Sequence, residues 1–252
     1  MKDNSGGAQN PAGRDRRLLV IGLVVGAALA SGGWYLGQSR TGASDRQGIE
    51  KIVREYILAH PEVLPEAMAN LQKKEGSARL SDIRGDVEKP YPGAVLGNPQ
   101  GKVTLVEFTD FACGYCRKSV EDVRRLVAKH PDLRVVIREF PILSPQSADA
   151  ARMGLAAAQQ GKYEAFHYAM FAAGQPGPET IEAAARSAGL DMDKAKAAIN
   201  SRAVEEEIGR NVDMARQLGF NGTPSWTIGD QLIPGAVGVE ELSAAIAAAR
   251  KS

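Results

Sequence analysis

EFTDFACGYC, Glu107 to Cys116, holds the only two cysteines of a 252-residue chain. The run leading into it, KVTLVEFTD from Lys102 to Asp110, is rich in β-branched and apolar residues and predicts a buried strand. The run leaving it, CRKSVEDVRRLVAKH from Cys116 to His130, sets Val120, Val123, Leu126 and Val127 at helical spacing and predicts a helix. Cys113 thus falls at a strand-to-helix junction, with Cys116 one turn into the helix. The unpaired N–H groups and the dipole at a helix N-terminus favour an anion, so a Cys113 thiolate is stabilised there. Positions i and i+3 share a helix face, which brings Cys116 within reach of the Cys113 sulfur. Such a pair suits attack by Cys113 on a substrate disulfide, followed by resolution through Cys116.

Other uses of the pair fit less well. A zinc site needs four ligands, and His60, His130 and His167 make no ligand motif with the cysteines. Covalent haem attachment needs histidine after the second cysteine, where Arg117 stands. An inert disulfide closing so small a loop would stabilise little.

Downstream, DLRVVIREFPI from Asp132 to Ile142 predicts a second strand and completes a strand–helix–strand unit. Ser144 to Phe220 is helical in pattern, with breaks at Gly161, Gln175 to Pro178, and Gly189. SWTIGDQLIPG predicts two short strands about Gly229-Asp230, and Val239, Leu242 and Ile246 mark a closing helix. The order is βαβ, a helical block, then ββα.

Upstream, Ser77 to Gly93 is charged, ends in KPYPG and reads as a linker. Before it, Ile49, Ile52, Val53, Tyr56 and Ile57 form one apolar helical stripe. Val63, Leu64, Ala67, Met68 and Leu71 form another beyond His60-Pro61. These stripes are covered either by the rest of the chain or by other subunits. Arg14, Arg16 and Arg17 precede the uncharged run Leu18 to Gly37, which is long enough to cross a bilayer. It reads as a membrane anchor, or as a signal peptide with Ala28-Leu29-Ala30 at its cleavage site. Either reading exports the remainder, where disulfides form. Charge is balanced, with 31 basic and 30 acidic residues, and no basic cluster points to nucleic acid.

EFTDFACGYC at such a junction, GTPSW far downstream, and a helical block between βαβ and ββα together resemble the DsbA-like branch of the thioredoxin superfamily. IVREYILAHPEVLPEAM resembles the N-terminal region of the suppressor-of-copper-sensitivity C (ScsC) proteins. The resemblance implies an α/β thioredoxin fold with an inserted helical domain at about residues 144–220. The whole organisation would be a cytoplasmic N-terminus at 1–17, a transmembrane segment at 18–37, tether and amphipathic helices at 38–90, and the DsbA-like domain at 91–252.

It further implies that Cys113 is an exposed nucleophile and Cys116 a buried resolving thiol. Thr223-Pro224 would form a cis-proline loop presenting Thr223 to substrate. Glu107 would be a buried acid exchanging the Cys116 proton. Phe111 and Tyr115 would offer an apolar surface to unfolded chains, or pack against the insert. No cofactor and no metal are required. The expected partners are cysteine-containing exported proteins, a membrane redox partner that recycles the pair, the membrane itself, and further copies in a homo-oligomer such as a trimer. Gly114-Tyr115 supplies no cation between the cysteines, so the Cys113 pKa should lie below the ordinary value of about 8.5 and above about 3.5. This leans the function toward disulfide isomerase or reductase, at the periplasmic face of a bacterial inner membrane. A dithiol oxidase, or a copper-tolerance protein binding Cu(I) through the two thiols, are the alternatives.

Overall fold

The computed structural model describes residues 46–251, and the expected membrane segment at 18–37 lies outside them. Among the described residues no helix is long and apolar enough to cross a membrane. They fall into two units, one ending at Met68 and the other beginning at Ala69.

In the first unit, helix α1 covers residues 46–59. The His60 N–H bonds the Tyr56 carbonyl at 2.8 Å, and helix α2, Val63–Glu88, begins beyond Pro61. The predicted stripe is exposed, with Ile49 at 61%, Ile52 at 66% and Tyr56 at 56%.

The second unit is built on a five-stranded sheet: β1 (Val95–Gly97), β2 (Val103–Thr109), β3 (Leu133–Glu139), β4 (Ser225–Ile228) and β5 (Gln231–Pro234). Its order is β1-β3-β2-β4-β5. The β2–β3 pair is parallel and the other pairs are antiparallel. The parallel pair is joined by α3, Gly114–Lys129, as a strand–helix–strand unit requires. β4 and β5 form the expected hairpin about Gly229-Asp230, and α9, Val239–Ala249, closes the fold. Strand β1 was not foreseen. Three residues with one buried side chain carry no readable alternation.

Strand alternation divides the apolar residues between two faces. Leu105, Val135, Ile137 and Trp226 pack with Val123 and Leu126 of α3 and Leu242 and Ile246 of α9. On the opposite face Val106, Phe108 and Val136 pack with Leu80 and Val87 of α2 and with Met214 and Leu218. The helical block between β3 and β4 comprises α4 (Pro145–Gln159), α5 (Tyr163–Ala173), α6 (Pro178–Ser187), α7 (Met192–Ile199) and α8 (Arg202–Leu218).

The expected linker at Ser77 to Gly93 is corrected: α2 continues through Glu88. Its few apolar residues are too sparse to read as a stripe, yet Leu80 and Val87 are buried against the sheet. The buried Arg138 guanidinium also holds the end of the helix, binding the carbonyls of Asp86, Val87 and Lys89. Arg138 is itself paired with Glu207 at 2.7 Å and Asn211 at 3.2 Å, which meets the requirement that a buried charge be partnered.

Candidate active site

The last residue of β2 is Thr109, and Asp110 to Cys113 form the turn into α3. Cys113 occupies the N-cap position of α3 with extended backbone and no side-chain cap. The free N–H groups of the first turn therefore face its sulfur. Across the gap stands the Thr223-Pro224 bond, which is cis, and the Cys113 thiol donates to the Thr223 carbonyl at 3.2 Å. The sequence places Cys113 and Thr223 far apart, and the β2–β4 pairing brings them together.

The two thiols are free and differ sharply. The Cys113 pKa is lowered to about 5, first by the hydrogen bond from the Cys116 thiol, against the opposing pull of burial. The Thr223 side chain and the N–H groups of Cys116 and Tyr115 lower it further. Thr223 Oγ1 is buried and makes no other hydrogen bond, which leaves its hydroxyl available to a Cys113 thiolate. Cys116 moves the other way: burial first, then Cys113 and Glu107, push its thiol far up. The expected exposed nucleophile is corrected in degree. Cys113 is only 5% exposed, against 0% for Cys116, because α4 and α5 of the insert crowd the pair.

Glu107 is buried on the same strand face as Thr109, beside Trp226 and Ile137. Burial raises its pKa to about 8, with a further push from Cys113, so it is a neutral acid at pH 7. The hydroxyl of Thr109 is buried without a partner, within electrostatic reach of both Glu107 and Cys116. Tyr115 is 62% exposed. Of its two expected places Phe111 takes the second, packing against the insert: it is fully buried against Phe166, Phe171 and His167, and its place on a surface for unfolded chains is corrected. Its side chain points from the turn into the insert, and the insert needs an apolar anchor there.

Two acids were not singled out in the sequence. Asp110 is 1% exposed and accepts three backbone N–H groups, from Ala112 at 2.8 Å, Ile142 at 2.9 Å and Leu143 at 3.0 Å. Glu139, opposite Thr109 on β3, is fully buried and accepts from the Tyr163 hydroxyl at 2.6 Å. Burial raises its pKa well above the ordinary range, and the neighbouring Asp110 and Glu107 add to that. The one signal for these residues was an acid at or just past the end of each apolar strand.

Known proteins give this geometry a context. Residues 104–247, more than half the chain, match the family described as DSBA-like thioredoxin domain. Residues 45–78 match the Copper resistance protein ScsC N-terminal domain. A thioredoxin-like oxidoreductase from Silicibacter pomeroyi is 45% identical, covers 64% of this chain and 94% of its own, and superposes with a TM-score of 0.61. A linker-deletion mutant of ScsC from Proteus mirabilis is 25% identical over 82% of this chain and 95% of its own, with a TM-score of 0.64. The Na(+)/H(+) antiporter NhaA 3 of Salinispora tropica is 30% identical over 73% of this chain. The chain spans only 28% of that protein's length, and similarly small shares of the other antiporters it matches.

Proposed function

We propose that the chain, which belongs to the DSBA-like thioredoxin family, is a thiol–disulfide oxidoreductase that works as a disulfide isomerase or reductase on exported proteins. The carrying observation is the asymmetry of the pair: Cys113, lowered to about 5, faces the Thr223 carbonyl, while Cys116 is buried and its thiol is pushed far up.

In the proposed cycle the Cys113 thiolate attacks one sulfur of a substrate disulfide. A Cys113–substrate disulfide forms, and the other substrate sulfur leaves as a thiolate that takes a proton from solvent. In isomerisation that substrate thiolate, or another in the same chain, attacks the mixed disulfide and returns Cys113 as a thiolate. In reduction Cys116 gives up its proton and attacks the Cys113 sulfur. The Cys113–Cys116 bond forms, and the substrate leaves with both its sulfurs reduced. Glu107 is the proposed proton partner of Cys116. Ionised by loss of its proton to solvent, it would accept the Cys116 proton as Cys116 attacks, and return it to the substrate sulfur that leaves Cys113. Thr223 is the proposed backbone partner of an extended substrate segment, by strand addition. Pro224 completes that loop, and the exposed ring of Tyr115 is a further proposed substrate contact.

The exposed stripe on α1 supports assembly. Ile49, Ile52 and Tyr56 would pack against further copies of this chain, and several active sites in one assembly favour reshuffling. The match of residues 45–78 to the ScsC N-terminal domain supports the same reading. The basic then apolar N-terminus supports export, with the segment at 18–37 as anchor or signal. A membrane redox partner would recycle the pair. The second reading, a dithiol oxidase, draws on the same low Cys113 pKa, since a stabilised thiolate makes the disulfide form more oxidising.

Reactivation of a scrambled-disulfide substrate by the purified chain tests the choice. Reactivation that is lost in Cys113→Ser supports isomerase action. Fast oxidation of a reduced substrate with little reactivation of the scrambled one would assign oxidase action instead.

A further inference from the structure

Three polar side chains share one buried face of the sheet. Glu107 and Thr109 lie two residues apart on β2, and Glu139 stands beside Thr109 on β3. Strand alternation puts them on the face of Leu105 and Ile137, which packs against α3. Cys116, in the first turn of α3, is buried as they are.

Thr109 is the one of the three whose polarity the fold does not use. Its main chain is fixed by the β2–β3 register, and its carbonyl accepts the Phe140 N–H at 2.8 Å. Its hydroxyl is enclosed and has no hydrogen-bond partner while both cysteines are thiols. An enclosed hydroxyl without a partner costs stability, and valine would fill the same place on a strand without that cost.

The hydroxyl lies between two groups that differ by one proton in the resolving step. It lowers the pKa of the Glu107 carboxyl and that of the Cys116 thiol, in each case as a donor to the charged form. Glu107 and Cys116 repel one another as anions, so this buried site favours one charge at a time. A hydroxyl both donates and accepts, and can serve whichever of the two is charged. Glu139 is a poorer acceptor. Burial holds it protonated, and one of its oxygens already accepts from Tyr163 at 2.6 Å.

We propose that Thr109 relays the proton between Cys116 and Glu107. The hydroxyl oxygen takes the proton of the Cys116 thiol as its own proton passes to the ionised Glu107 carboxylate. Thr109 ends neutral, Glu107 ends as the acid, and Cys116 is left as the thiolate. That thiolate bonds the Cys113 sulfur of the mixed disulfide. The bond from Cys113 to the substrate breaks with its electron pair on the substrate sulfur, which recovers the proton from Glu107. The inference rests on the thiol–disulfide reading above, and it adds the residue that links the buried thiol to its acid.

The test separates the two chemical steps. Reduced protein is mixed with a peptide disulfide and quenched in acid at intervals, and mass spectrometry follows the Cys113 mixed disulfide as it forms and decays. Decay should slow at least about tenfold in Thr109→Val and return to within about twofold in Thr109→Ser. Formation should stay within about twofold in both, and Thr109→Val should melt no lower than the unaltered chain. The double variant Thr109→Val/Glu107→Gln should decay no more slowly than Glu107→Gln alone, since a relay without its acid has nothing to serve. Decay in Thr109→Val at the unaltered rate overturns the relay, and so does an equal loss in both steps or a multiplied loss in the double variant. Decay in Glu107→Gln at the unaltered rate removes Glu107 as proton partner and the relay with it. If the unaltered chain forms no mixed disulfide, the oxidoreductase reading itself fails.

Discussion

Cys113 owes its lowered pKa to a geometry that one substitution can dissect. The largest contribution is the hydrogen bond from the Cys116 thiol, ahead of Thr223 and the helix N–H groups. Thiolate absorbance should therefore titrate near pH 5 in the reduced protein, and Cys116→Ala should move the midpoint up by about one unit or more. An unmoved midpoint would transfer the effect to the helix terminus. Glu107 makes an opposite prediction for stability. Its pKa rises from 4.5 unfolded to about 8 folded, so folding takes up a proton between those values. The Glu107 contribution to stability then falls as pH rises through that window, by up to about 1.4 kcal/mol per pH unit, while Cys113, lowered to about 5, contributes the opposite slope above pH 5 in the reduced protein. Glu107→Gln should flatten the slope by about one proton between pH 5 and 7.5 in denaturant melts. Glu139 contributes a slope of the same sign and remains in place. The cysteine motif was legible because its meaning depends on spacing. The burial of Glu107, Asp110 and Glu139 depends on what covers them, and the covering helices are far away in sequence.

At the scale of elements, α4 reaches its place against β3 through one small residue. A Cβ at Gly154 would lie 2.9 Å from Glu139 Oε1 and 3.5 Å from the rings of Phe111 and Tyr163. The carboxyl group is held by Tyr163 and fully enclosed, so it cannot retreat cheaply. Alanine is the better helix former by up to about 1 kcal/mol, yet Gly154→Ala should cost about 1–3 kcal/mol net in chemical denaturation. A stabilised variant would mean that the pocket yields. The second half of α2 is the element the sequence hid. Leu80→Ala should cost about 2–5 kcal/mol, which a free linker would not. The charged run from Ser77 onward looked solvated because one apolar residue per turn suffices when the helix lies on a flat sheet. That sparse pattern carries little periodic signal. The βαβ unit, the insert and the β4–β5 hairpin were readable, because each has local periodicity or turn chemistry.

Among the described residues, the second unit leaves Leu71, Tyr115, Ile142 and Leu143 as its exposed large apolar side chains, and the first unit keeps its stripe in the open. Both amphipathic runs were expected to be covered, by the chain or by other subunits. Leu80 and Val87, further along α2, are covered by the sheet face, while Ile49, Ile52 and Tyr56 are not. Ile52→Glu/Tyr56→Glu changes exposed residues and should leave the melting temperature within a few degrees. If the stripe holds copies together, sedimentation should show the unaltered protein as an oligomer and this variant as a smaller species. Equal sedimentation of the two would end the assembly reading.

The sequence alone determined that the two cysteines sit one turn apart at the start of a helix, that a helical block interrupts a thioredoxin-like order of elements, and that amphipathic helices precede it. These properties are local, set by spacing of three or four residues and by turn formers, and need no knowledge of distant contacts. Only the tertiary structure decided which acids are buried, that Phe111 faces inward, that α2 runs on to Glu88, and that Asp110 ties the nucleophile's turn to Ile142 and Leu143. Each of these depends on which surfaces meet across the sheet and the insert, and burial between distant segments leaves no regular spacing in the chain.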